Sequence, residues 1–288
     1  MNILVTGANG QLGHELRNQL EVDFQGQVLY TDIEELDLTN ASAIEHFVTK
    51  NDITHIVNCA AYTAVDKAEE DKLQCTAVNV DAVKNIAKAA DANGIKVIHL
   101  STDYVFDGTA YKPYSESDKV NPISQYGTSK RKGETALLAL APESIIIRTS
   151  WLYSPYGHNF VKTILKKATE GKELKVVADQ IGTPTYAVDL AKAIVRILQS
   201  HQWVEGIYHF SNEGVCSWYD FAKAIIRISG LKCPITPIPT EDYPTPAARP
   251  YYSILNKSRI KATYGVEIPH WEESLANCIN RITQTINP

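Results

Sequence analysis

Apolar positions along residues 1–150 follow two alternating periods. Short β-branched runs occur at Ile3-Leu4-Val5, Val28-Leu29-Tyr30-Thr31, Ile53 to Val57, Lys96 to Leu100 and Ser144 to Arg148. Between them the spacing turns helical: Leu12, Leu16 and Leu20 share one face, as do Ile44, Phe47 and Val48. Val78, Val83, Ile86, Ala87 and Ala90 form a third stripe ending at Gly94, a residue suited to a C-cap. Strands alternating with helices predict βαβ units, hence a doubly wound α/β fold around a parallel sheet. Beyond Trp151 the alternation loosens into a smaller α+β pattern. Helices are expected over 159–167, 188–198 and 271–286 and strands over 174–177 and 206–210. A capping box at Ser217 to Asp220 opens another helix, and 234–250 reads as proline-rich loop or extended chain. The expected division is therefore 1–150 as a nucleotide-binding domain that also recruits about 186–203, and 151–288 as mainly a substrate-binding domain.

The turn after the first strand carries Gly7, Gly10 and Gly13, a G-x-x-G-x-x-G spacing between a strand and a helix. Without side chains there, a pyrophosphate can approach the N–H groups at the helix N-terminus. The bare pattern also suits a tight βα turn. Its position opening a series of βα units favours a dinucleotide. Asp32 ends the second strand where an acidic side chain would hydrogen-bond an adenosine ribose, which favours NADH over NADPH, and Asp37 competes for that role. Small residues after the third strand, in Asn58-Cys59-Ala60-Ala61-Tyr62-Thr63, leave room for a flat ligand, as would a plain buried turn.

Candidate chemistry lies in Tyr126-Gly127-Thr128-Ser129-Lys130, where a phenol and an ammonium fall one helical turn apart. An ammonium about 5 Å from the phenol at an effective dielectric near 20 would stabilise the phenolate by about 3 kcal/mol, or about two pKa units. Such a Tyr126 would exchange a proton with a carbonyl or alcohol. Ser101 and Thr102 end the fourth strand. As neighbours on extended chain they point to opposite faces, so only one is expected to reach Tyr126. The long loop 107–124 is expected to flank the site, and Glu69-Glu70-Asp71 reads as a solvated helix start.

Composition narrows the class. The chain has 288 residues, 44% of them hydrophobic, and a formal charge of -5, so no basic field for nucleic acid is present. No apolar run reaches the length that spans a bilayer, and Met1 leads at once into a strand, so a cytoplasmic location with no membrane partner is expected. Five scattered cysteines and eight histidines show no metal-ligand spacing, and the cysteines are expected to be reduced.

Together, residues 6–13, 58–63, 101–106 and 126–130 resemble the extended short-chain dehydrogenase/reductases, whose nucleotide-binding part is a Rossmann-like sheet. The stretches Arg148 to Tyr153, Asn159 to Thr163, Asp179 to Thr185 and Ala248-Arg249-Pro250 narrow the resemblance to the dTDP-4-dehydrorhamnose reductase family over nearly the whole chain. That resemblance implies reduction of the C4 ketone of dTDP-6-deoxy-L-lyxo-4-hexulose by NADPH or NADH. It implies that Tyr126 donates the proton, that Lys130 tunes it and holds the nicotinamide ribose, and that Thr102 orients the substrate. Gly7, Gly10, Gln11, Leu12, Gly13, Asp32, Asp37, Leu38, Ala60, Ala61, Tyr62 and Thr63 fall at cofactor positions by the same matching. Thr102, Asp103, Trp151, Asn159 and Arg249 fall around the dTDP-sugar. For Trp151 an ordinary core role competes, and for Arg249 that of a surface cation. A magnesium-bridged dimer, as in some members, would use Glu15. Val188 stands where a second carboxylate is expected, so no structural metal is predicted, and monomer or homodimer is left open. Competing readings are a sugar-nucleotide 4-epimerase or 4,6-dehydratase, the latter disfavoured because Tyr104 follows Asp103 where a glutamate is expected, and a non-catalytic NADP(H)-binding regulatory subunit.

Overall fold

The computed structural model describes residues 1–171 and 173–286. Five strands alternate with helices through the first half: β1 (Asn2–Thr6), α1 (Gln11–Asp23), β2 (Gln27–Thr31), α2 (Ala41–Lys50), β3 (His55–Asn58), α3 (Lys72–Thr76), α4 (Ala82–Asn93), β4 (Lys96–Thr102), α5 (Gln125–Leu140) and β5 (Ile145–Thr149). The second half supplies β6 (Leu152–Tyr153), α6 (Phe160–Thr169), β7 (Leu174–Val177), β8 (Ile181–Gly182), β9 (Thr185–Tyr186), α7 (Ala187–Leu198) and β10 (Gly206–His209). It ends with β11 (Cys216–Ser217), α8 (Trp218–Ser229), β12 (Ile235–Ile238), α9 (Ser258–Tyr264) and α10 (Trp271–Ile286).

One six-stranded sheet has the order β10-β5-β4-β3-β1-β2, all neighbours parallel. Chain order reverses between β1 and β3, so the crevice beyond their C-terminal ends is the topological switch point where ligands of such sheets bind. Both faces are covered. Ile3, Val5, Val57, Ile98 and Ile147 pack under α1 and α7, while Leu4, Ile56, Val97 and Ile146 pack under α2, α4 and α5. Continuous apolar runs in the strands follow from this two-sided burial.

The segment 72–93, which carries the third apolar stripe, is helical throughout but contains a π turn at Ala77–Asp81, and Gly94 closes it in the left-handed region at φ 63°. Fully buried residues of α7 join the first sheet's core beside α1, and β10 extends that sheet. Residues from α6, β7, α8 and α10 form a separate apolar cluster around Phe221, Ile225 and Leu275. The capping box at Ser217 and Asp220 is formed. Part of the proline-rich stretch pairs as β12 alongside β7. Among the described residues, no helix is long and apolar enough to cross a membrane.

Candidate active site

The glycine loop leaves β1 and turns into α1 against the end of β3. Gly7 has φ 65°, and a Cβ there would lie 2.6 Å from the Ala60 nitrogen. At Gly13 a Cβ would lie 2.5 Å from the Gly7 carbonyl oxygen, so helix and loop pack backbone to backbone. Gly10 caps α1 with no side-chain acceptor, leaving the N–H groups around Gln11, Leu12 and Gly13 to the crevice. A bare helix N-terminus in a side-chain-free cradle fits a pyrophosphate. Asp32 is tied to this loop: its carboxylate accepts from Asn9 N at 3.0 Å and from Ile33 N at 2.9 Å. Asp37 instead closes a local turn, accepting from Thr39 N and Oγ1. Leu38 is half-buried against the α2–α4 side of the core, with its carbonyl accepting from Asn85.

Beyond β3, Ala60, Ala61 and Tyr62 are half-buried and Thr63 is exposed. Asn58 organises this edge: Thr6 Oγ1 donates to its Oδ1 at 2.8 Å, Ala60 N donates to the same oxygen, and its Nδ2 lies 3.0 Å from His99 Nδ1. Asn79, on the π turn, accepts from Tyr62 N at 2.9 Å and donates to Tyr62 O and to Ser129 Oγ. Ser129 in turn donates to Tyr126 O at 2.7 Å. The π turn thus connects the cofactor-side loop to α5, and such turns concentrate at functional sites.

The structure brings Thr102, Tyr126 and Lys130 together. α5 begins at Ser124, whose hydroxyl accepts from Gly127 N, and the neighbouring Gln125 N donates to Glu69 Oε1 at 2.8 Å. Glu69, expected as a solvated charge, therefore caps this helix from outside. Gly127 allows close approach, since a Cβ there would lie 2.2 Å from Tyr104 O. Of the two hydroxyls ending β4, Thr102 is the one that acts on the Tyr126 phenol, whereas Ser101 donates to Glu134 Oε1 at 2.5 Å. Lys130 Nζ donates to Leu100 O at 2.6 Å.

One expectation is overturned. The helical spacing predicts that the Lys130 ammonium makes Tyr126 more acidic. Instead burial dominates and raises the phenol above its ordinary value, opposed by the Thr102 hydrogen bond and aided by the charge of Asp103. Burial also pushes the ammonium down, to about 8, against the pull of Glu134, Cys59 and Cys75. The arithmetic failed because it counted charge–charge attraction and omitted desolvation, which acts on both groups.

Asp103 is buried beside this pair and burial pushes its carboxyl up to about 7, opposed by hydrogen bonds with Ser253 and Thr102. Its Oδ2 has no partner in the structure. Arg249 is half-buried, paired with Asp66 at 2.8 and 3.0 Å, and acts electrostatically on Tyr104, whose ring meets Tyr126 edge-on at 5.6 Å. Trp151 stacks on Trp218 at 3.5 Å and has φ 48°, a conformation that a bulky residue adopts only under tertiary constraint. Asn159 caps α6, and its Nδ2 donates to Gln11 Oε1 at 2.8 Å and to Ser154 O. It joins the second half to the glycine loop.

Sequence reasoning missed Asp66, Asn79, Glu134 and Ser253, all of which act across long sequence separations. Only Glu134 left a local signal, one further helical turn beyond Tyr126 and Lys130. Glu15, considered above as a metal ligand, is buried and accepts from Arg281 at 2.8 Å. Among the described residues no group of three or more His, Cys, Asp or Glu could hold a metal ion, and none of the five cysteines is in a disulfide.

Known proteins resemble this chain along nearly its whole length. Residues 1–284 match the RmlD substrate binding domain family. The dTDP-4-dehydrorhamnose reductase of Aggregatibacter actinomycetemcomitans is 42% identical, covering 96% of this chain and 97% of that protein. A crystal structure of a dTDP-4-dehydrorhamnose reductase from Clostridium acetobutylicum superposes with TM-score 0.95 at 44% identity, covering 98% of this chain and 100% of that one. The Bacillus anthracis enzyme, solved in complex with NADP, gives 0.93 at 39% identity over 97% and 99%. A Thermus thermophilus UDP-glucose 4-epimerase, 20% identical, shares the fold. With a full-length family match, relatives near 40% identity and a glycine cradle leading to a Thr-Tyr-Lys cluster, the chain belongs to the dTDP-4-dehydrorhamnose reductase family.

Proposed function

We propose that this chain reduces the C4 ketone of dTDP-6-deoxy-L-lyxo-4-hexulose to dTDP-L-rhamnose, using NADPH or NADH, with Tyr126 as proton donor. The observation that carries this reading is the burial of Thr102, Tyr126 and Lys130 together at the C-terminal end of β4, with Lys130 Nζ donating to Leu100 O, on the same edge of the sheet as the glycine cradle.

A reduced nicotinamide dinucleotide, when bound along Gly7, Gly10 and Gly13, supplies the hydride. Gln11, Leu12 and Gly13 offer N–H groups to its pyrophosphate, Asp32 faces its adenosine ribose, and Ala60 to Thr63 flank its flat ring. Reduction builds negative charge on the C4 oxygen, and Tyr126 neutralises it by giving up its phenolic proton there. A phenol kept protonated by burial suits this reducing direction. Thr102, beside Tyr126, orients the phenol and the carbonyl together. Lys130, held on the backbone of β4, presents a positive charge to the nicotinamide ribose. On the sugar-nucleotide side Asp103, Trp151, Asn159 and Arg249 border the crevice, with Arg249, its fork held by Asp66, presenting positive charge to the diphosphate. Residues 1–150 with α7 thus serve the dinucleotide, and most of 151–288 serves the sugar nucleotide.

The test is a coupled assay that generates the 4-keto sugar nucleotide and follows loss of reduced nicotinamide absorbance with each cofactor. Tyr126→Phe is expected to lose at least about 100-fold in turnover while still binding cofactor. Near wild-type turnover in that variant would remove Tyr126 from the mechanism.

A further inference from the structure

Tyr126, Lys130 and Glu134 succeed one another at four-residue intervals along α5, and all three are buried. The first two are accounted for by the proposed reaction. Glu134 is fully buried and takes four donors from three elements. Ser101 Oγ lies at 2.5 Å, Arg148 Nε and Nη2 each at 2.8 Å, and Arg131 Nη1 at 3.0 Å. Ser101 immediately precedes Thr102, and Arg148 is paired in register with Ser101 across β4 and β5. The carboxylate therefore binds the ends of two central strands to the helix that carries the phenol. Resting on the reading of the site given above, we propose that Glu134 is a positioning residue for the reduction, fixing the end of β4 against α5 and supplying the counter-charge that holds the Lys130 ammonium beside it.

The surroundings of Lys130 support this role. Cys75 from α3, Cys59 after β3 and Glu134 from its own helix act on it, and it acts in turn on His99 from β4. His99 is held neutral by burial, and the burial of Cys59 pushes its thiol up to about 12, so neither offers charge to Lys130 at neutral pH, whereas the Glu134 carboxylate does. Glu134 itself stays ionised, held below its ordinary value by Arg148, Ser101 and Arg131, while the neighbouring His209 is neutral. Opposite charge favours the ammonium and burial disfavours it. Removing the carboxylate leaves burial unopposed, so the lysine should lose its proton at lower pH.

The experiment measures Lys130 directly, by following the 13Cε resonance of labelled lysine through a pH titration with neither substrate nor cofactor present. The resonance is assigned by its absence in Lys130→Met. Glu134→Gln is expected to move the midpoint acid-ward by at least about one pH unit, a tenfold change in the proton equilibrium. The basic limb of kcat for ketone reduction should move with it, and Glu134→Asp, which keeps the charge, should restore most of both. Because Glu134→Gln strands Arg148 in the core, Glu134→Gln/Arg148→Met, which buries no charge at the pair, is measured alongside it. An unchanged Lys130 midpoint in folded Glu134→Gln, or in folded Glu134→Gln/Arg148→Met compared with Arg148→Met alone, overturns the proposal, whatever happens to stability. Absence of reductase activity in the unaltered protein would instead overturn the reading of the site and leave the titration result standing.

Discussion

Lys130 Nζ lies 2.6 Å from the carbonyl oxygen of Leu100, two residues before Thr102 on the same strand. The ammonium is thereby attached to the sheet rather than left to swing on its own stem. Replacing it with methionine should lower kcat/KM for ketone reduction by about 100-fold, through loss of a fixed charge beside the reacting centre. Arginine should not restore activity, because a planar guanidinium does not fit a buried site shaped for a compact ammonium. Steady-state kinetics of Lys130→Met and Lys130→Arg provide the check.

Asp103 predicts a dependence of stability on pH. Burial raises its carboxyl from 3.8 to about 7, so the folded chain keeps a proton that the unfolded chain has already released. The contribution is fully present below about pH 4. It declines by about 1.4 kcal/mol per pH unit as pH rises toward 7 and is gone above that. In urea denaturation between pH 4 and 8, Asp103→Asn should abolish this decline. A slope equal to that of the unaltered protein would show that Asp103 is not the group responsible.

Gly13→Ala tests the backbone contact beneath the glycine loop. The added methyl would lie 2.5 Å from Gly7 O and 2.6 Å from the backbone of Ala8, neither of which can move aside cheaply. Overpacking of this kind costs about 1–3 kcal/mol. Since the displaced atoms form the cradle itself, dinucleotide affinity by calorimetry should fall by about tenfold or more, and an unaltered affinity would disconnect the loop from the cofactor.

Arg249 is anchored by Asp66, so its guanidinium is already oriented before any ligand arrives. Arg249→Ala should raise KM for the dTDP-sugar by about 10- to 100-fold with a smaller effect on kcat, the pattern of lost ground-state binding. Asp66→Asn should produce a weaker version of the same change. A fall in kcat with KM preserved would move Arg249 from binding to chemistry.

How far these features could be read in advance depended on whether they were local. The parallel sheet, the glycine turn and the Tyr126–Lys130 spacing are short-range patterns, and the structure contains each of them. Contacts between distant segments left little trace. Nothing around Asp66 announces a partner 183 residues away, and nothing around Ser253 points to Asp103. The π turn at 77–81 was read as ordinary helix because its apolar stripe continues through it, although Asn79 uses that turn to reach both Tyr62 and Ser129. Trp151 offered two roles from sequence, core or sugar contact. Its stack on Trp218 covers one ring face, and it remains only partly buried. The expected acidification of Tyr126 failed for a different reason, since spacing along a helix reports proximity and is silent about depth.

The amide of Asn159 spans from the head of α6 to the side chain of Gln11 at the start of α1. The His14 ring also stacks on Tyr156 at 4.4 Å, and Asn18 donates to the Tyr156 hydroxyl. The segment leading into α6 is therefore moored to α1 at several points, and displacing it outward would break all of them together.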